Sequence, residues 1–385
     1  MNDILIPGLQ IGQLSTPLPI IQGGMGVGIS MAGLAAAVAE AGGIGVISAI
    51  GIGMREPDFA QNTETANRRA LTREIDKARG LSNGVIGVNL MVALTDYIEL
   101  MDAAIDAAAD VLFLGAGLPL LFSKRNSPEQ IRDLGTQIVP IVSSARATQL
   151  IFRYWDKKYG RVPDAVVVEG PLAGGHLGFK PSNIGDPKFQ LEIILDEVLE
   201  ITRSYEQHLG IAIPVIGAGG IYSGDDIFKL LRRGASGVQM GTRFVATHEC
   251  DAHQNFKDSY IQAGPDDLVI ISSPVGLPGR AIRNDFLDDV AAGIKQPIKC
   301  PWKCLAPCDM ETAPYCIALA LINAQKGKMK RGFPFAGANA HRISKIIGVA
   351  DLLDSLVKEY QEAARVWEEK TSIKDTSKEI YNEFV

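Results

Sequence analysis

The chain has 385 residues, of which 46% are hydrophobic and 21% charged, with a net charge of −6. That is too long for a minimal domain and suits either one barrel of roughly 250 residues with added segments or two smaller domains, in each case around a large core. The charge is mild and no basic tract occurs, which argues against a nucleic-acid partner.

Met1 to Gln10 lacks a basic start followed by an apolar run, so no signal peptide is expected. From there, short apolar runs alternate with helix-like runs, the rhythm of a parallel α/β fold. Strand one is expected at Leu18 to Gln22, followed by a glycine-rich turn, Gly23 to Gly28, and a helix around Met31 to Ala41. Strand two is Gly45 to Ala49; a polar loop, Gly51 to Thr65, leads to a helix at Ala66 to Arg79. Strand three, Val85 to Leu90, precedes a helix at Tyr97 to Ala108, and strand four is Val111 to Leu114. The longest apolar region, Ala103 to Phe122, spans these last elements and contains Asp106 and Asp110. Each would cost about 2.5–3.5 kcal/mol at mid-membrane, so no spanning helix and no membrane partner are expected. The cytoplasm, with reduced thiols, is the expected compartment.

A short helix near Pro128 to Leu134 comes next, then strand five at Ile138 to Val142 and a helix at Ala145 to Tyr159. Strand six is Ala165 to Glu169, followed by a glycine-rich segment from Gly170 to Lys188 and a helix at Leu191 to Gln207. Strand seven, Pro214 to Gly217, has its helix at Asp225 to Arg233, and strand eight is Gly237 to Met240. Eight strand–helix units therefore close by about residue 260, giving a parallel (β/α)8 TIM barrel. Residues 261–340 then read as a cysteine-containing insert with a segment that covers the active site, and 341–385 as a C-terminal helical tail ending at Val385.

The loops after strands seven and eight, Gly217-Ala218-Gly219-Gly220-Ile221 and Met240-Gly241-Thr242-Arg243, are those that bind phosphate in many barrels. Glycines let backbone N–H groups approach a phosphate, and the following helix adds a favourable dipole; Asp225 and Asp226 can cap that helix. Two tight turns without a ligand are the bland alternative. The turn Gly23-Gly24-Met25-Gly26-Val27-Gly28 does not fit the dinucleotide fingerprint in any frame. From Gly24 the sixth residue is Ile29, and strand two ends without an acidic residue. A flat surface for an aromatic ring such as isoalloxazine accounts for these glycines and for Met25; a tight turn with Met25 in the core is the alternative.

His176 lies in Ala173-Gly174-Gly175-His176-Leu177-Gly178, just past the C-terminal end of strand six, where barrel enzymes place catalysis. An imidazole titrates near neutral pH and can move a proton there; a loop-tying hydrogen bond is the competing role. His208, His248, His253 and His341 are expected to be structural.

Gly23-Gly24-Met25, Gly87-Val88-Asn89-Leu90, Ala173-Gly174-Gly175-His176, Gly217-Ala218-Gly219-Gly220-Ile221 and Gln239-Met240-Gly241-Thr242 together resemble the nitronate monooxygenase family, formerly called 2-nitropropane dioxygenases. That family shares its fold with flavin-dependent enoyl-acyl-carrier-protein reductases and NAD(P)H:quinone reductases. The resemblance covers roughly residues 14 to 250. It implies bound FMN, with Gly23, Gly24, Met25 and Asn89 around the flavin ring and Gly219, Gly220, Gln239, Gly241 and Thr242 at the ribityl phosphate. Gly175, Gly217 and Met240 complete the expected cofactor set, and His176 becomes the catalytic histidine. Two departures affect the substrate side: Leu172 stands where the family often has Glu, and the loop from Phe179 to Phe189 is unusual.

Four of the five cysteines, Cys300, Cys304, Cys308 and Cys316, fall in one segment, Lys299 to Cys316, with spacing C-x3-C-x3-C-x7-C. Clustered thiolates suggest zinc or an iron–sulfur cluster, although the spacing matches neither a zinc ribbon nor a ferredoxin run; reduced structural thiols beside Pro301, Trp302 and Pro307 are the alternative. The small-residue segment from Phe335 to Ala340 resembles a family segment that returns to the active-site mouth and would bring Asn339 there; a surface turn is the other reading.

The leading expectation is an FMN-dependent monooxygenase that oxidises alkyl nitronates with O2. A reductase using NAD(P)H to reduce an enoyl thioester or a quinone is the second, and a non-catalytic barrel binding a phosphate-bearing ligand the third. A small-molecule substrate is expected in the enzyme readings, and a homodimer is left open.

Overall fold

The computed structural model describes residues 5–294, 300, 302–309 and 311–383, with side chains through 371. Met1, Lys299, Pro301 and Val385, all considered from the sequence, lie outside the described residues. A hairpin of β1 (Leu9–Ile11) and β2 (Leu14–Thr16) precedes the barrel. The barrel strands are β3 (Ile20–Gln22), β4 (Gly45–Ser48), β5 (Ile86–Met91), β6 (Val111–Gly115), β7 (Gln137–Val142) and β8 (Val166–Glu169). After a two-residue strand, β9 (Gly175–His176), come β10 (Val215–Ala218) and β11 (Gly237–Met240). The barrel strands run parallel in the order β3-β11-β10-β8-β7-β6-β5-β4. A parallel bridge between Ile21 and Ile44 joins the two ends, so the eight-stranded sheet closes as a TIM barrel.

The β-branched strand sequences bury both faces, as parallel strands between helices must. Ile21, Val46, Phe113, Val139, Val167 and Ile216 fill the barrel interior, with Leu9 and Ile11 of the hairpin packed into the same cluster. Their neighbours Ile20, Ile47, Leu112, Ile138, Val166 and Val215 pack outward with the helices. This alternation is the period-two geometry of a strand.

Helices follow the strands: α1 (Ala32–Glu40), α2 (Thr63–Leu81), α3 (Tyr97–Asp106), α4 (Pro128–Asp133), α5 (Ala145–Tyr159), α6 (Leu191–Leu209) and α7 (Gly224–Arg233). The cap of α7 is Ser223. Its Oγ accepts from Asp226 N and Asp226 accepts from Ser223 N, a capping box, whereas Asp225 pairs with Lys229. After β11 come α8 (Thr242–Val245) and α9 (Gln254–Gln262), then an antiparallel excursion of β12 (Leu268–Ser272) and β13 (Pro278–Ile282), α10 (Asp285–Ala291) and α11 (Ile317–Gln325).

The tail helix α12 (Val349–Glu383) returns to the barrel wall against α7 and α1. Glu359 accepts from Gly224 N at 2.8 Å, and the Arg232 guanidinium lies 3.4 Å from the centre of the Trp367 ring. The tail thus fills the eighth place in the helical ring. No helix among the described residues is long and apolar enough to cross a membrane.

Candidate active site

A cavity of about 660 Å³ opens at the C-terminal ends of the barrel strands, the face where barrels carry their chemistry. Gly23, Gly24, Met25, Asn89, Gly175, Gly219, Gly220, Gln239, Met240, Gly241, Thr242 and His176 all line it. Residues predicted from five separate loops therefore converge on one space. Gly217 does not line it: it is buried within β10, and a side chain there would meet Leu230. The glycine that opens the loop completes the strand instead of lining the cavity.

Close approach explains the other glycines. A Cβ on Gly24 would fall 2.3 Å from Asn89 Cβ, so only glycine lets the first turn lie against the Asn89 side chain. Asn89 is buried and donates to Phe113 O at 3.2 Å. Gly219 and Gly220 have φ of +88° and +87°, the left-handed region that glycine alone enters cheaply, and a Cβ at Gly220 would meet Leu172 at 2.9 Å. These two residues form a cradle that a side chain would fill, the form expected of a phosphate site.

The returning segment closes this cradle. Asn339 Nδ2 donates to Gly220 O at 2.5 Å, Gly337 N to Thr242 Oγ1 at 3.0 Å, and Ala338 N to Leu172 O at 3.0 Å. Asn339 is thus tied to the cradle from behind, without lining the cavity itself. Leu172, at the family's Glu position, is 46% exposed and covers Gly220. The Phe179 to Phe189 loop is pinned by edge contact between those two rings, 6.3 Å apart.

His176 is held by the excursion, which the sequence did not connect to it. β9 pairs antiparallel with β13, His176 opposite Gly279. The imidazole Nε2 lies 2.7 Å from Ser273 Oγ, and the ring packs edge-on against Phe335 at 5.0 Å. Ser273 Oγ also accepts from Val275 N at 3.4 Å; in the tautomer where its hydroxyl donates to Nε2, the ring proton is on Nδ1. Buried Arg280 donates to Pro171 O at 2.6 Å and Ala173 O at 2.7 Å, fixing the loop that carries the histidine. Tyr260, which also lines the cavity, donates to Phe335 O. Elsewhere His253 caps α9, accepting from Asn255 N, and His341 lies 3.0 Å from Ala338 O, both structural roles.

The electrostatics reverse the simple expectation for His176. Burial lowers its pKa to about 4, so the ring is neutral at pH 7. Burial also raises Glu169, at the end of β8 on the cavity wall, to about 7. Glu169 is therefore the neutral-range acid of this cavity; its only sequence signal was an acidic residue ending a barrel strand. A carboxyl whose folded pKa is raised contributes full stability below its unfolded pKa, near 4.5, and loses it as pH rises through about 7. Glu169→Gln should match the wild type in stability near pH 4 and exceed it at pH 8, read from denaturant midpoints of the flavin-free proteins. A constant difference across that range would show that Glu169 is not buried as a carboxyl.

The cysteine segment docks on the loop after β5. Thr95 N donates to Cys304 O at 3.3 Å, Ala306 N to Ala93 O at 2.9 Å, and Leu94 bridges Leu305. Trp302, Cys304 and Leu305 line the cavity, with the Trp302 ring 5.5 Å from Phe59. Burial is the main cause that pushes the Cys304 thiol up to about 12, with further contributions from Cys316, Cys300 and Cys308.

A neutral imidazole and a neutral-range carboxyl at the C-terminal mouth of a parallel barrel form an enzyme's site. The chain belongs to the nitronate monooxygenase family, whose model matches residues 9–359, and it is an oxidoreductase. Flavin dependence is typical of this family. A probable nitronate monooxygenase of Staphylococcus aureus is 28% identical over 72% of this chain and 79% of its own length. A (3aS,4S,5R,7aS)-5-hydroxy-7a-methyl-1-oxo-octahydro-1H-indene-4-carboxyl-CoA dehydrogenase of Mycobacterium tuberculosis is 26% identical over 73% of this chain and 70% of its own. Among solved structures, FabK of Thermotoga maritima is 28% identical with a TM-score of 0.69, covering 91% of this chain and 95% of that one. A nitroalkane oxidase of Streptomyces ansochromogenes, 24% identical with a TM-score of 0.68 over 91% of this chain and 98% of that one, shares the fold.

Proposed function

We propose that this enzyme binds FMN in the barrel-mouth cavity and oxidises alkyl nitronates with O2. The observation that carries this reading is the convergence of the Gly219–Gly220 cradle, the Gly24–Asn89 contact and His176 on one cavity. Gly219, Gly220, Gly241 and Thr242 would hold the phosphate, and Gly23, Gly24, Met25 and Asn89 the ring. FMN, when bound, supplies the two-electron redox chemistry, and the protein supplies orientation and electrostatics. His176, neutral and with its Nε2 engaged by Ser273, offers the Nδ1 proton to a nitronate oxygen and orients the anion. Glu169, near its pKa at pH 7, is the group that can hold or release a proton within the same cavity.

A second reading is supported by the likeness to FabK and to a relative named for a CoA thioester. The same site would then use NAD(P)H to reduce an enoyl thioester, or else a quinone, with His176 and Glu169 serving proton transfer.

Purified protein should show flavin absorbance bands and release FMN on denaturation. Air-saturated assays should give a kcat/KM on alkyl nitronates well above the rate of NAD(P)H consumption with enoyl thioesters or quinones. The reverse ranking would make the protein a reductase, and a colourless protein that fails to take up added FMN would overturn both readings.

A further inference from the structure

We propose that Cys300, Cys304, Cys308 and Cys316 bind an iron–sulfur cluster at the wall of the active-site cavity. The inference does not depend on which substrate the enzyme uses.

Four of the chain's five cysteines lie within one short segment, and all five are free thiols. The fold holds that segment at its middle and at its C-terminal end. Its middle is clamped to the loop after β5 by Thr95 N to Cys304 O and Ala306 N to Ala93 O. Cys316 is the N-cap of α11, and its neighbour Tyr315 is wedged between Phe286 at 5.3 Å and Phe333 at 6.0 Å. All four thiols are half-buried and stand within electrostatic reach of one another.

Among the described residues no three His, Cys, Asp or Glu side chains are placed to hold one metal ion, the geometry a zinc site needs. In a four-iron cluster each thiolate meets a different iron, so the sulfurs stand apart around a body and do not converge on a point. The four thiols lie within electrostatic reach of one another without three of them meeting at one point, which agrees with that demand.

A second observation is independent of the thiols. Trp302 Nε1 and Tyr315 Oη are buried and have no hydrogen-bond partner. Each is a donor within two residues of a cysteine, and leaving such a donor buried and unpaired costs about 1–3 kcal/mol. Cluster sulfides and thiolate sulfurs accept hydrogen bonds of this kind, which also tune the cluster's potential. The position has a functional side as well: Cys304, Trp302 and Leu305 share the wall of the cavity with His176.

The test is anaerobic purification, with and without reconstitution by ferrous iron and sulfide, followed by iron, sulfide and zinc analysis. About four irons and four sulfides per chain are expected. Cys304→Ser/Cys308→Ser should lose both while keeping flavin and a native thermal transition, and Cys250→Ala, which alters the cysteine outside the segment, should keep them. Should the double variant fail to fold, the wild-type analysis decides alone. Wild-type protein without stoichiometric iron after reconstitution, one zinc without sulfide, or iron that survives in the folded double variant would each overturn the proposal.

Discussion

Replacing His176 with alanine is expected to lower kcat/KM by about 10²–10⁴-fold, the usual span for one acid–base or proton-donating group, while FMN content stays at the wild-type level. The two effects separate because the side chain and the cofactor contacts come from different places. Most expected cofactor contacts belong to β5, β11 and the loops after β3, β10 and β11; Gly175, on β9 beside His176, contributes backbone alone, and His176 stands there held by its backbone pairing with Gly279. Removing the imidazole deletes the partner of Ser273 and the ring against Phe335, but it leaves that backbone ladder in place.

His176→Asn should retain part of the substrate binding, because it keeps a hydrogen-bond donor without a titrating ring. Since burial already holds the histidine neutral above about pH 4, a pH–rate inflection near 7 should persist in the Asn variant and be traceable to Glu169. The measurement is kcat/KM against pH on a nitronate and on an enoyl thioester, with flavin content determined for each preparation. Near-normal turnover of both substrates by flavin-loaded His176→Ala would reduce the residue to a loop tie.

Gly220→Asp should abolish FMN binding with the fold retained. Any side chain at φ +87° takes on left-handed strain of about 1–2 kcal/mol, and its Cβ would press on Leu172 at 2.9 Å. A carboxylate facing a phosphate at about 4 Å adds roughly 1–4 kcal/mol of repulsion between water-like and surface-like dielectric. Together these weaken binding by about 10²-fold or more. Gly220→Ala carries the strain without the charge and should show a partial loss. Flavin released per chain reports binding, and the far-UV thermal transition reports folding. Stoichiometric FMN in a folded Gly220→Asp protein would remove the phosphate from this loop.

Much of the fold and part of the site are readable from short stretches of chain. The strand–helix alternation sets the barrel because each βα unit is local and successive strands are mostly neighbours in the sheet. The glycine loops and His176 are marked by the same logic: in a parallel barrel every strand's C-terminal end faces one mouth, so motifs far apart in sequence share a cavity once their strands are located.

What that pattern does not contain is contact between distant segments and the polarity they impose. Ser273, Arg280 and Phe335 surround His176 because β13 pairs with β9 across about a hundred residues, and no local period announces such a pairing. The tail fills the ring beside α7 through Glu359 and Trp367, contacts that a tail read as a separate segment does not suggest. Motif groups Gly217 with its loop, but strand geometry turns it toward Leu230. The protonation states follow the same division. Residue type supplies an imidazole and a carboxyl, but burial by the assembled barrel and its excursion moves one to about 4 and the other to about 7. Desolvation depends on everything packed around a group, so only the tertiary structure could decide which of the two titrates at neutral pH.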